Sequence, residues 1–229
     1  MREFGVLSDP ILKEAFTRVN EGYYCDLCRK ERASFAERDK KQGQFSNRLP
    51  GFSSQKAGRP TDVFIVAHAH AGTDLDRFRR QKTLDDEMSE MADYYRGEPD
   101  KSFHQQQVRL LLERLDEMDK SWVFADVVKC FVWKKGSDGE QNLASATKHC
   151  GQYLEAQLQA CRPRRVVTLG DAVDRALGIP KLAHGASAEN APCAGLMLTV
   201  VHSMFPSGWT ADAWIRAQGW KPVLESLSK

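Results

Sequence analysis

Trp122-Val123-Phe124-Ala125-Asp126-Val127-Val128-Lys129-Cys130 is the stretch on which the reading of the fold turns. Trp122 to Val128 reads as a strand, and Lys129-Cys130 closes it. Upstream, Val108, Leu111, Leu112, Leu115 and Met118 recur at helical spacing and predict a helix over 103–119. A second helix is expected over 84–95, after a strand at Val63-Phe64-Ile65-Val66 that runs into Ala67-His68-Ala69-His70-Ala71-Gly72. Downstream, a Gly/Asp/Lys-rich loop leads to a helix from about Leu143 to Ala160. A strand at Val166–Leu169 then meets Gly170-Asp171 at the start of another helix. Leu196 to Val201 is a further strand and delivers His202. The last element, Thr210 to Leu227, reads as helical with a break near Gly219 and Pro222. Strands alternating with helices predict an α/β domain, with a mostly parallel four-stranded sheet between helices on both faces. Reactive groups in such sheets collect at the carboxyl ends of the strands, where residues 67–74, 126–130 and 202–208 fall.

At 229 residues the chain suits a single domain spanning 1–229. Before the first strand, Pro10 to about Asn20 reads as a short amphipathic helix leading to Cys25, and residues 31–60 as a long polar connection. A net charge of only +2 excludes a polycation that coats nucleic acid indiscriminately, while leaving room for a local basic face. Candidates for phosphate contacts are Arg77, Arg79, Arg80, Lys82, Arg162, Arg164 and Arg165, although charge runs are usually solvated faces. No apolar run reaches the length of a membrane span, and Met1-Arg2-Glu3-Phe4-Gly5 lacks the apolar core of a secretory signal. The expected compartment is the cytoplasm. There the six cysteines read as metal ligands or buried thiols rather than disulfides.

Cys25 and Cys28 form a Cys-x2-Cys pair, whose two thiolates converge on one metal from a single turn. Cys130 and Cys150 bring the count to four, enough for an iron–sulfur cubane or a structural zinc. Cys150 also continues the helical stripe through Tyr153, Leu154 and Leu158, so a plain core thiol is the competing reading. Cys161, on the same stripe, and Cys193, in a Pro/Gly-containing loop, read as buried or incidental thiols.

Four segments resemble family 4 uracil-DNA glycosylases. Phe124-Ala125-Asp126-Val127-Val128-Lys129-Cys130 is similar to that family's "TNVVKC" strand. Cys150-Gly151-Gln152-Tyr153-Leu154-Glu155-Ala156-Gln157-Leu158 resembles "C-x2-YL-x-x-QI", and Arg162 to Gly170 resembles "KPKVIVTLG". Thr199-Val200-Val201-His202 resembles the strand that leads into the His-Pro-Ser motif. The resemblance implies a 4Fe–4S cluster held by Cys25, Cys28, Cys130 and Cys150, with residues 21–60 as the cluster-binding and polar connecting segment. It implies DNA as partner, no membrane, a monomer, and N-glycosidic bond hydrolysis. The cluster would be structural.

The chain departs from that family where the chemistry is done. The Gly-Glu-Ala-Pro-Gly loop aligns with Ala67-His68-Ala69-His70-Ala71, which holds no carboxylate. The base-reading Asn is Asp126, and His-Pro-Ser becomes His202-Ser203-Met204. Hydrolysis develops negative charge on the leaving base and needs an oriented water. His202 is the candidate donor to the base, His68 the candidate to position water or phosphate, and His70 a weaker one. Asp74, with Asp76 close by, is the candidate replacement carboxylate. Met204 and Phe205 are the candidate wedge that opens the duplex. An ionised Asp126 cannot donate to the O4 of uracil, but accepts from the exocyclic amine of cytosine. The small Ala67, Ala69 and Ala71 leave space for a substituent at position 5. The expected activity is therefore release of an altered pyrimidine, such as a 5-modified cytosine of phage DNA, in defence or repair. An ordinary uracil-DNA glycosylase and a non-catalytic iron–sulfur DNA-binding module are the alternatives.

Overall fold

Apolar residues alternate along each central strand and divide the interior into two cores, one on each side of a sheet. The structure, a computed structural model, describes residues 51–54, 61–69, 92–95, 102–128, 137–193 and 195–229. The strands are β1 (Phe52–Ser53), β2 (Val63–Ala69), β3 (Trp122–Val128), β4 (Arg165–Leu169), β5 (Ser187–Cys193) and β6 (Leu196–Ser203). The helices are α1 (Phe103–Glu117), α2 (Ser137–Cys161), α3 (Asp171–Leu177), α4 (Ala211–Arg216) and α5 (Lys221–Ser228).

The sheet runs β1-β3-β2-β4-β6-β5. Its four inner strands are mutually parallel, as the alternation of strands and helices predicts. The expected sheet of four is nevertheless a mixed sheet of six, because an antiparallel strand is added at each edge. Both additions have a physical cause. Phe52, in the stretch read as solvated connection, is 1% exposed and packs its ring between those of Tyr95, Trp122 and Phe124, with centroids 5.5, 5.6 and 5.3 Å away. Edge strand β5 is Ser-Ala-Glu-Asn-Ala-Pro-Cys, a composition with little β-propensity. It tolerates Pro192 because it lies at the edge, and its register shifts between Ala188 and Ala191, beside Asn190 at φ 49°. Cys193, expected in a loop, closes this strand and is fully buried.

Val63, Ile65, Ala67, Trp122, Phe124, Val167 and Val201 face one core, against α1, α4 and α5. Phe64, Val66, Val123, Ala125, Val127, Val166 and Val200 face the other, against α2 and α3. Helix α1 begins at a capping box in which Ser102 N–H donates to Gln105 Oε1 at 3.0 Å. The carboxyl-terminal segment is helical with the expected break, its two helices parted at Gln218 and Gly219, which both have positive φ, while Pro222 falls in the first turn of α5. The helix expected at Pro10–Asn20 lies outside the described residues, as does most of that expected over 84–95.

Candidate functional site

Parallel pairing brings the carboxyl ends of β3, β2, β4 and β6 to one edge. Ala67 is registered with Asp126, and Thr168 with His202. Side-chain alternation then separates the candidate groups. Asp126 follows Phe124 onto the α1 side, whereas His202 and His68 follow Val200 and Val66 onto the side of α2 and α3. The expected single pocket uniting His202 with Asp126 is therefore two sites, back to back across the sheet.

On the α1 side, Asp126 is 1% exposed. Burial, then the charge of Asp126, then Tyr94 push the phenol of Tyr95 well above its ordinary range, and Tyr95 packs at 5.0 Å on Phe124, two residues before Asp126 on the same side of β3. Tyr95 meets His104 edge-on at 6.0 Å, and His104 stacks on Phe205 at 4.6 Å with 24° between the rings. Burial lowers His104 to about 4, opposed by its contact with the Pro206 carbonyl, so its imidazole is neutral at physiological pH. Its Nδ1 is buried without a hydrogen-bond partner. Met204 and Phe205 are half-buried against the same core, which is packing rather than the exposed display a wedge requires. Four residues on, Trp209 is completely exposed. Its short 3-10 turn, Gly208–Thr210, is pinned by Thr210: Ser207 N–H donates to Thr210 Oγ1 at 3.1 Å, and that hydroxyl donates to Phe205 O at 2.9 Å.

On the opposite side, His202 Nδ1 lies 2.6 Å from Asp174 Oδ2, a close contact that is not aligned as a hydrogen bond. Nε2 of the same ring is 3.6 Å from Asp171 Oδ1. The His202 backbone is clamped by its neighbours, since Gly185 N–H donates to His202 O and His202 N–H donates to Ala186 O. Nearby, His184 accepts from Met204 N–H at 3.1 Å through Nδ1 and donates from Nε2 to Gly219 O at 2.7 Å. These two bonds fix the neutral tautomer, and burial, assisted by His202, lowers its pKa. Cys193 is raised to about 12 by burial and then by the charge of Asp174, an inert thiol. His68 Nε2 lies 3.0 Å from Thr147 Oγ1 on α2.

Cys150 sits one turn beyond Thr147 on α2 and is 2% exposed. It is one of the buried core side chains, and Cys161 and Cys193 join the core on the α2 side. Cys25, Cys28, Cys130, His70 and Asp74 lie outside the described residues. Arg162, Arg164 and Arg165 are placed at the amino end of β4, where Arg164 N–H donates to Thr61 O. That is the far edge from the strand ends, so they do not border the candidate site. Tyr95, His104 and Trp209 were missed in the sequence, as was the Asp171–Asp174 pair. The available signals were Trp209 alone in a Pro-Ser-Gly-Trp-Thr loop, and two aspartates three apart directly after Gly170. No protein-family model and no curated protein matches the chain.

Proposed function

We propose that the chain is a monofunctional DNA glycosylase that hydrolyses the N-glycosidic bond of an altered pyrimidine, leaving an abasic site. The observation that carries this reading is a buried carboxylate, Asp126, beside an aromatic group formed by Tyr95, His104 and Phe205 at the carboxyl edge of a parallel sheet. A flipped base needs flat walls and a buried polar group that reads its edge. An acceptor-only Asp126 suits the amine of a cytosine-type base and repels the O4 of uracil. With the ring of His202 turned toward α3, His104 is the neutral histidine on Asp126's side of the sheet; its one N–H is taken by the Pro206 carbonyl, so it serves as a flat wall of the pocket rather than as a donor to the leaving base. Trp209, displayed on its braced turn, takes the wedge role expected of Met204 and Phe205.

The four cysteines Cys25, Cys28, Cys130 and Cys150 would hold a 4Fe–4S cluster of structural purpose. The support for Cys150 is the resemblance of the segment Cys150 to Leu158, in which the thiol is buried.

Mass spectrometry of bases released from modified and unmodified DNA tests the reading. The expected result is faster release of an amino-bearing pyrimidine, and Asp126→Asn should move activity toward uracil by about 10- to 100-fold, the worth of one mismatched buried polar contact. Uracil preferred by the wild type, with no gain from Asp126→Asn, would return the protein to ordinary uracil repair. Tight DNA binding with no base released would leave a binding module.

A further inference from the structure

We propose that Asp171, Asp174 and His202 form a binding site for a divalent first-row transition cation, on the opposite side of the sheet from Asp126. Each offers one ligand atom, and the three atoms lie within 4.8 Å of one another. Asp171 and Asp174 stand three apart on α3, so one face of that helix carries both carboxylates. Strand β6 brings His202 to them, its Nδ1 2.6 Å from Asp174 Oδ2 and its Nε2 3.6 Å from Asp171 Oδ1, so a cation takes one of the two nitrogens. A cation about 2.1 Å from each ligand atom spans up to about 4.2 Å between ligands, close to the spacing of this set, and the exposed Asp171 is the member free to adjust.

Independent support comes from polar atoms with nothing to bond. The side chains of Asp174 and His202 are 4% and 3% exposed. Asp174 Oδ1 has no hydrogen-bond partner, and His202 Nδ1 has no aligned one. Thr168, registered with His202 on β4, has its hydroxyl buried and unpartnered as well. Buried groups of this kind are normally satisfied, and an absent partner calls for an explanation such as an ion. A divalent cation supplies it by accepting lone pairs from Asp174 and one ring nitrogen while offsetting two carboxylate charges. Asp171, with 55% of its side chain exposed, provides the side from which an ion and its waters enter. The two carboxylates suit magnesium, calcium or manganese, and the imidazole adds affinity for zinc and the other later first-row ions, so manganese and zinc are the ions the mixed set accommodates.

Manganese is the discriminating probe because thiolates compete for it poorly, which keeps the cysteines out of the measurement. Titration of the full-length protein with Mn2+, followed by loss of the free-ion electron paramagnetic resonance signal, should show one saturable equivalent. Zn2+ should compete for it and raise the melting temperature. Asp174→Asn should abolish binding. Asp171→Asn, a substitution at an exposed position that leaves the fold intact, should weaken it by about 10-fold or more, since losing even an outer-shell partner costs that much. If Asp174→Asn does not fold, Asp171→Asn decides alone. Absence of saturable binding, or binding unchanged in Asp171→Asn, would overturn the proposal and leave His202 and Asp174 as a buried, closely spaced pair.

Discussion

His104 makes stability depend on pH in a window set by its burial. In the unfolded chain an imidazole takes up its proton near pH 6.5, whereas in the folded chain His104 stays neutral down to about 4. Between these values the unfolded state binds one proton more than the folded state, so acidification favours unfolding. The loss begins as pH falls through 6.5, runs at about 1.4 kcal/mol per pH unit, and totals about 3 kcal/mol by pH 4. Below that both states are protonated and the contribution stops changing. Phe205 stacked on one face and Tyr95 at the edge explain the shift, because they replace the water that would solvate an imidazolium. His104→Phe keeps a flat ring against Phe205 and removes the titration. Urea unfolding of both proteins at pH 7, 6, 5 and 4.5 should show the wild type losing stability relative to the variant, by about 2 kcal/mol or more at the lowest pH. A wild type to variant difference that stays constant across that range would refute the reasoning. His104 would then be hydrated in solution and unsuited to a desolvated base pocket.

Gly185 sits at φ 77°, and a Cβ there would fall 2.3 Å from Pro222 Cβ and 3.1 Å from the Pro222 carbonyl carbon. Gly185→Ala should therefore cost about 3 kcal/mol in chemical denaturation, from backbone strain plus overpacking against α5. Trp209→Ala should leave unfolding unchanged within about 0.5 kcal/mol, because the ring touches solvent alone. It should weaken DNA binding by about 10-fold or more in a fluorescence anisotropy titration, the worth of one stacked base. Anaerobically purified protein should be brown with about four irons and four labile sulfides per chain, and Cys150→Ser should lose them while Cys161→Ser and Cys193→Ser should not. One zinc and no iron would replace the cluster with a four-thiolate site.

What was legible in the sequence follows from how strongly each position is constrained by burial. Strands β2, β3 and β4 and the second half of β6 are covered on both faces, so Val63–Val66, Trp122–Val128, Val166–Leu169 and Val200–Val201 are nearly continuous apolar runs, while Leu196, Met197 and Leu198 stay apolar although partly exposed. The edge strands carry no such signature, since one flank of each is unpaired and β5 is polar enough to read as a loop. Strand ends were harder still. Expecting β6 to stop at Val201 frees His202 to turn into a pocket with Asp126. The strand in fact continues through Ser203, pairing Leu169 with Ser203 in parallel register and holding His202 to the alternation. Two further residues of strand thus reverse the side on which a key side chain emerges, because a strand's period of two leaves no intermediate direction. Asp126, two residues before the end of β3 with its side fixed by Phe124 before it, suffers no such ambiguity, and its side could be read directly. Tyr95 and His104 come to it from elements distant in sequence and are joined only by ring contacts, which no local pattern encodes. The buried acid was therefore visible in one strand, whereas the rings on its side of the sheet required the tertiary fold.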